Sequence, residues 1–342
     1  MRTKSSYSKA GIDIDAKMAA LRAVKKTIGK TVVPGQICEI GSFGGMFSAP
    51  GKNMALIAST DGVGTKLKVA VMAGRHDTIG QDIVNHCVND ILVHGARPLF
   101  FLDYFATARF EAQIFKQVVS GLCRACRENR CALLGGETAE MPGLYPQGEY
   151  DLVGTIVGAV ERKKIITGKT IRPGDIIIGL PSSGLHTNGF SLARKIIFEQ
   201  EKLKPRDVLP GVGSRVSDVL LAVHRSYLRP VGALMGKVAI QGMAHITGGG
   251  FQDNVPRVLP KDVNAVFDLA AWTPPPLFRY LQERGKVDRE EMYRVFNMGI
   301  GLVIILRAAE VPAALKILKR LKFNAPIIGK IEKGSGIARL IS

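Results

Sequence analysis

Five short segments of the chain carry acids, a lysine, a histidine and glycines in patterns that suit phosphate chemistry. The first is Ser59-Thr-Asp61-Gly62-Val-Gly64-Thr65-Lys66, directly after an apolar run. Its glycines let backbone approach a ligand, Asp61 can reach a cation, and Lys66 can meet a phosphate. The spacing Gly-x4-Gly-Lys-Ser/Thr is absent there, so this is no Walker A loop, and a plain tight turn competes with the functional reading. The second is Asn89-Asp90 within a helical stretch. Alone, Asp90 reads as a solvated helix edge. Beside Asp61 it would complete the one or two carboxylates that Mg²⁺ takes together with phosphate oxygens.

The third segment, Gly135-Gly136-Glu137-Thr-Ala-Glu140-Met-Pro-Gly143, is expected as a strand-exit loop. Its two acids suit a cation or polar ligand, or are simply exposed. The fourth, Pro181-Ser-Ser-Gly-Leu-His186-Thr-Asn188-Gly189, lies between a strand and a helix. A helix end with small residues before it favours anions, and His186 and Asn188 add a proton-transfer group and a hydrogen-bond donor. The fifth is His245-Ile-Thr-Gly248-Gly249-Gly250-Phe-Gln-Asp-Asn254. Three successive glycines either make a sharp turn or wrap backbone amides around an anion. Together the segments imply an enzyme with two phosphorylated ligands, one a nucleotide with Mg²⁺.

Elements must hold these loops in place. Apolar periodicity predicts a helix around Met18–Ile28, strands over 54–59, 99–104, 131–134 and 151–160, and helices over 79–94 and 111–130. The charged, turn-rich stretch 161–174 is the best boundary, giving domains 1–167 and 168–342. Beyond it come a strand over 175–180, helices over 189–200, near 216–236 and over 312–321, and strands near 264–268, 299–306 and 326–331. Helices and strands mix without a long βαβ series, so the fold class is α/β (α+β) with two domains.

Composition narrows the classes further. Charged residues make up 22% of the 342, with 38 Gly and 17 Pro, which is globular and neither disordered nor collagenous. The longest apolar runs are far shorter than the roughly 20 residues of a membrane span. No apolar signal stretch opens the chain, so a cytoplasmic protein without membrane partners is expected. Cys123-x2-Cys126-x4-Cys131 has metal-like spacing, but a fourth ligand is missing nearby, and packed reduced thiols on a helix are the expectation. The net charge of +18 raises nucleic-acid binding. Aromatics at 6% and the absence of any recognition module argue against it.

The ordered segments resemble the phosphoribosylformylglycinamidine cyclo-ligase family, the aminoimidazole ribonucleotide synthetases. The resemblance rests on YSKAGIDIDA (7–16), STDGVGTK (59–66), HDTIG (76–80), CVND (87–90), PLFFLDYFAT (98–107), GGETAEMPG (135–143), SSGLHTNGFS (182–191), HITGGGFQDNVPRVL (245–259) and MYRVFNMGIG (292–301), and spans essentially the whole chain. Leu185 and Thr187 depart from the Pro and Ser that flank the histidine in many relatives. Selenophosphate synthetase and thiamine-monophosphate kinase share the two-domain plan. The first would need a reactive Cys followed by Lys, which Cys38 lacks, and the second lacks GGETAEMPG.

That resemblance implies an N-terminal α/β domain whose sheet closes a barrel with that of a dimer mate, and a C-terminal α/β domain packed against it. It implies conversion of formylglycinamidine ribonucleotide and ATP to 5-aminoimidazole ribonucleotide, ADP and phosphate, with Mg²⁺ and with K⁺ as a further candidate. By the same resemblance, Asp61 and Asp90 hold Mg²⁺, with Glu137 as a third candidate. Lys25, Gly44, Gly45, Gly62, Gly64 and Thr65 lie along ATP. His186, Asn188 and Lys66 serve catalysis. Gly136, Glu137, Gly248, Gly249 and Gly250 meet the substrate, the last three at its ribose phosphate. The expected partners are small molecules and a second copy of the chain. The charge excess then reads mostly as solvated surface. Residues 1–167 hold 21 basic and 15 acidic side chains, +6, and residues 168–342 hold 26 and 14, +12.

Overall fold

The computed structural model describes residues 14–34 and 53–341. Helix α1 (Ile14–Gly29) buries Val24 and Ile28. Then follow β1 (Met54–Gly62), α2 (Lys66–Ala73), α3 (Ile79–Leu92), β2 (Arg97–Thr107), α4 (Ala112–Glu128), β3 (Ala132–Glu140) and β4 (Tyr150–Glu161). The strands form a four-stranded sheet in the order β1-β4-β2-β3, antiparallel except for β2 and β3.

One face of this sheet is covered by α3 and α4. Phe105 stacks on Tyr150 and meets Phe115 of α4 edge-on. The two helices touch backbone to backbone at Gly80, where an added Cβ would lie 2.2 Å from the Val118 carbonyl oxygen. The opposite face carries half-buried Phe100, Leu102, Tyr104, Val153 and Val157, and Leu56 is 58% exposed.

The second sheet has six strands, β5 (Ile176–Pro181), β6 (Ile240–His245), β7 (Val263–Asp268), β8 (Ile300–Leu306), β9 (Ile327–Lys333) and β10 (Ala338–Ile341), in the order β10-β7-β9-β5-β8-β6. Its helices are α5 (Phe190–Arg194), α6 (Val216–Leu220), α7 (Leu228–Leu234), α8 (Gly250–Asn254), α9 (Pro276–Gly285), α10 (Arg289–Val295) and α11 (Val311–Arg320). Every residue of β8 is buried. Leu302, Ile304 and Leu306 join a cluster with α7 and α11, while Val303 and Ile305 join the other core cluster. Burial on both faces explains why β8 reads as an unbroken apolar run. The mixed α/β architecture is the expected one.

Three local expectations are corrected. Residues 59–62 belong to β1, so the turn is confined to Val63–Thr65. Gly135–Glu140 is not a loop but the second half of β3, paired in register with β2. The helix expected over 216–236 is broken into α6 and α7. Polar groups on α3 hold the intervening chain open. Asp82 accepts the His224 N–H at 2.7 Å, Asn85 donates to the His224 carbonyl at 2.7 Å, and Asn89 accepts the Tyr227 N–H at 2.9 Å. Hydrogen bonds to a neighbouring helix thus replace those a continuous helix would make within itself. Cys87, Cys123, Cys126 and Cys131 are buried free thiols, and Cys38 lies outside the described residues.

Candidate active site in the cleft between the two sheets

The end of β1, the last turn of α3 and the end of β6 meet in a cleft of about 300 Å³. Its walls include Ser59, Asp61, His86 and Asp90 from the first domain, and His245, Thr247, Asn254 and Arg257 from the second. Asp61 and Asp90, predicted from separate segments, are brought to one imidazole. His86 Nε2 lies 2.6 Å from Asp61 Oδ2 and 3.6 Å from Asp90 Oδ2. The other Asp90 oxygen is 2.8 Å from His245 Nδ1, and Ser59 Oγ donates to Asp90 Oδ2 at 3.1 Å. Residues 86 and 90 are one helical turn apart, which puts both on the α3 face that meets the cleft.

A ring of hydrogen bonds continues into the second domain. His86 Nδ1 meets Thr187 Oγ1 at 2.7 Å, and that hydroxyl is 3.4 Å from His224 Nδ1. His224 Nε2 in turn lies 3.1 Å from His245 Nε2. The ring of His186 stacks on His224 with centroids 3.9 Å apart. Four buried imidazoles therefore stand together at the domain boundary.

Their charges differ for physical reasons. Burial alone would lower His86, but the bond to Asp61 and the charges of Asp90 and Asp61 outweigh it and raise its pKa. Burial would raise Asp61 and Asp90, yet hydrogen bonds to His86 and His245 leave both below the ordinary carboxylate value. Burial pushes His186 and His224 well below the ordinary imidazole value, and lowers His245 despite its bond to Asp90. A histidine raised on folding stabilises the fold below its unfolded pKa, and that contribution fades as pH rises through the folded one. His86→Gln is thus expected to cost about 1.5–3 kcal/mol of stability at pH 6, with a smaller cost at pH 8.5. Urea unfolding of both proteins at the two pH values checks this, and an equal or growing difference contradicts it.

Several predicted site residues are placed elsewhere. Lys66 does not face the cleft. Its Nζ is fully buried 2.8 Å from Asp82 and donates to the carbonyls of Ala222 at 2.8 Å and His186 at 3.3 Å. Glu137 cannot join Asp61 and Asp90 within one chain. It pairs with Tyr104, Tyr104 with Val153, and Val153 with Gly62. Three inter-strand spacings, about 14 Å, therefore separate it from the end of β1. Gly136 sits on the same far strand, against Asp103. Lys25 is exposed on α1, and Gly44 and Gly45 lie outside the described residues. Gly62 N donates to Asp61 Oδ1 at 2.6 Å, Gly64 takes φ +71°, and Thr65 Oγ1 meets Ser191 Oγ across the domains at 3.1 Å.

His186 is a second-layer group rather than part of the cleft wall. It sits at φ +63°, its Nε2 accepts the Ser183 N–H at 3.2 Å, and its buried Nδ1 has no partner. Asn188 is brought to the glycine loop, since a Cβ at Gly248 would lie 3.3 Å from Asn188 Oδ1. Its Nδ2 is buried and unpaired. Asn254 braces that loop by donating to the carbonyls of Thr247, Gly248 and Gly250 at 3.3, 3.2 and 2.8 Å. Gly249 has φ +91° and Gly250 φ +60°, and a Cβ at Gly250 would lie 1.8 Å from the Tyr293 carbonyl oxygen. Gly250→Ala is expected to lower stability by at least about 2 kcal/mol, through strain and lost packing against α10. A melting temperature equal to wild type would contradict that. His86, His224 and Arg257 were missed from sequence. The spacing His86-x3-Asp90 was the available signal for the first; nothing local marks the other two.

Residues 43–160 match the family profile described as AIR synthase related protein, N-terminal domain, and residues 172–341 match that of its C-terminal domain. The chain is 48% identical over 337 residues to the phosphoribosylformylglycinamidine cyclo-ligase of Trichlorobacter lovleyi, covering 98% of this chain and 97% of that one. Identity to the cyclo-ligase of Burkholderia multivorans is 52% over 315 residues, with coverages of 92% and 89%. Among solved structures, hydrogenase maturation protein HypE in complex with ATP superposes with a TM-score of 0.69 at 18% identity, covering 97% of this chain and 93% of that one. Thiamine-monophosphate kinase from Stenotrophomonas maltophilia gives 0.68 at 16%, with coverages of 94% and 95%. These distant structures share the fold. With both domain profiles matched and close relatives aligned over nearly their full length, the chain belongs to the phosphoribosylformylglycinamidine cyclo-ligase family of AIR synthase related proteins.

Proposed function

We propose that the chain catalyses the ATP-dependent cyclisation of formylglycinamidine ribonucleotide to 5-aminoimidazole ribonucleotide, with release of ADP and phosphate, as in purine biosynthesis. The observation that carries this at the site is the carboxylate pair Asp61 and Asp90, open to the cleft and joined through His86. The formyl amide oxygen is a poor leaving group. Transfer of the ATP γ-phosphoryl to it makes it departable, an amidine nitrogen then attacks that carbon, and the C–O bond breaks to release phosphate. Phosphoryl transfer depends chiefly on positioning and charge neutralisation.

The residues fit those demands. Carboxylate oxygens of Asp61 and Asp90 suit Mg²⁺, which when bound neutralises charge on the ATP phosphates. The departing phosphate can take the proton that the attacking nitrogen loses. His245, held by Asp90 and kept neutral by burial, fixes that carboxylate in the cleft. His186 and His224 fix the orientation of that ring from behind. Arg257 at the cleft edge and the unpaired Asn188 amide beside Gly248–Gly250 offer donors for the ribose phosphate. Formation of ADP that requires formylglycinamidine ribonucleotide, and is absent with thiamine monophosphate, tests the reading; ADP formation with the latter alone would overturn it.

The half-exposed apolar face of the first sheet supports a homodimer in which two such faces close a barrel. A light-scattering mass of 36.9 kDa, that of one chain, would refute it. Among the described residues no helix is long and apolar enough to cross a membrane.

A further inference from the structure

We infer that the cavity between the start of β2, the end of α4 and α7 binds a nucleoside monophosphate, at a site separate from the cleft. Its volume is about 740 Å³, against about 300 Å³ for the cleft, and falls within the range of small-molecule pockets. The two share no lining residue, and none of the half-exposed residues named on the open face of the first sheet lines this cavity.

Charge selects the class of ligand. Arg97 and Arg130 of the first domain and Arg229 of the second line the cavity, and among the described residues Glu128 is the one acid in its wall. None of these four side chains has a hydrogen bond or ion pair within the described part of the chain. Three guanidiniums against one carboxylate leave the wall with a net charge of +2, and a phosphomonoester carries close to two negative charges at neutral pH. A guanidinium can take two phosphate oxygens at once through its fork of N–H donors, which suits arginine to this group.

The rest of the wall selects what the phosphate is attached to. Pro98 and Leu99, both buried, and half-buried Leu228 give an apolar surface for a base. The Glu128 carboxylate can accept from a base amino group or from ribose hydroxyls. Asn129 also lines the cavity, but its amide is spent within the protein. Nδ2 donates to Asn85 Oδ1 at 2.7 Å and to the Ala125 carbonyl at 2.8 Å, and Oδ1 accepts from Ser226 Oγ at 2.5 Å. Those bonds tie the end of α4 to α3 and to the segment before α7, so the wall is braced before a ligand arrives. The guanidiniums are the side-chain donors left for the phosphate.

Arg130 gives the sharpest test. It follows the end of α4 at φ +56°, in a cap where the Cys131 N–H reaches the Cys126 carbonyl at 2.9 Å, a place that suits glycine. Arg130→Gly therefore removes the side chain while relaxing the backbone. Titration calorimetry of AMP into the full-length protein is expected to show one equivalent bound per chain at this site. That binding should be at least about tenfold tighter than for ribose 5-phosphate or inorganic phosphate. Arg130→Gly, and separately Arg97→Ala/Arg229→Ala, should each weaken it at least about tenfold. The melting temperature of ligand-free Arg130→Gly should stay within about 3 °C of the wild type. None of the three arginines lines the cleft, so AMP that enters the cleft stays bound in both variants and is told apart by its persistence. AMP binding at this site unchanged in either variant overturns the inference. Ribose 5-phosphate or inorganic phosphate binding as tightly as AMP also overturns it, since the base would then add nothing.

Discussion

Asp61→Asn is expected to lower ATP-dependent turnover by about 10²–10³-fold, with partial recovery as the divalent cation is raised well above its usual level. The size follows from what one substitution removes. Asp61 is a cleft-facing carboxylate at the end of β1, and its charge is held in place by the buried His86 at 2.6 Å. The amide keeps the shape and leaves the strand pairing with Gly154 intact. It removes the negative charge, so a cation bound there loses a ligand and the phosphates lose their counter-charge. Weakened binding, rather than lost folding, predicts rescue by excess metal. Steady-state kinetics across a metal titration check both parts, and wild-type turnover at ordinary metal concentrations would remove Asp61 from the mechanism. Glu137→Gln provides the contrast. Its place on the far strand, three strands from Asp61, predicts a change smaller than about threefold, and a loss as large as that of Asp61→Asn would contradict it.

The difference between those two acids shows which parts of the site could be read from residues alone. Asp61 was legible because the cue is local: an apolar strand, then an acid, then glycines. Asp90 was legible only in combination, since a lone acid on a helix carries little information. Glu137 looked equivalent because its glycine-flanked segment is just as suggestive. What separates it is the order β1-β4-β2-β3, which sets β3 at the opposite edge from β1. Strand order is decided by pairing across the whole domain and leaves no trace in a nine-residue window. The histidines make the same point in reverse. His224 lies in a stretch with helical character, and only the clamp by Asp82, Asn85 and Asn89 turns that stretch into a non-helical segment that sets His224 behind His245. Element positions along both sheets were largely foreseeable because burial on one or both faces imposes periodicity. The domain boundary's chemistry was not, because the bonds that join the domains there, His86 to Thr187 and Asp90 to His245, link residues more than a hundred positions apart.

Lys66→Met is expected to destabilise the protein by about 3–5 kcal/mol, the cost of leaving a buried charge without its partner. The local sequence Gly64-Thr65-Lys66 suggests a phosphate ligand, but the ammonium is committed to Asp82 and to two carbonyls of the second domain. Both side chains of the pair are fully buried. Burial drives the lysine pKa down and raises Asp82 to about 6, against the mutual attraction that opposes both shifts. Removing the lysine leaves Asp82 buried with, among the described residues, only the His224 N–H as a donor, so the carboxyl would be protonated at neutral pH or the domains would part locally. Because Nζ bonds the His186 and Ala222 carbonyls, the loss also loosens the two segments that carry His186 and His224. Turnover should therefore fall through misplacement of that cluster, with the KM for ATP changed far less than kcat. A lysine on the nucleotide would give the opposite signature, a large rise in the KM for ATP with stability nearly unchanged. The double variant Lys66→Met/Asp82→Leu separates the terms, since an apolar pair of similar volume removes both desolvation costs. It is expected to be more stable than Lys66→Met alone, measured by urea unfolding at pH 7. A double variant no more stable than the single would mean that the ion pair is not what holds this boundary, and that the carbonyl contacts of Lys66 carry the stabilisation instead.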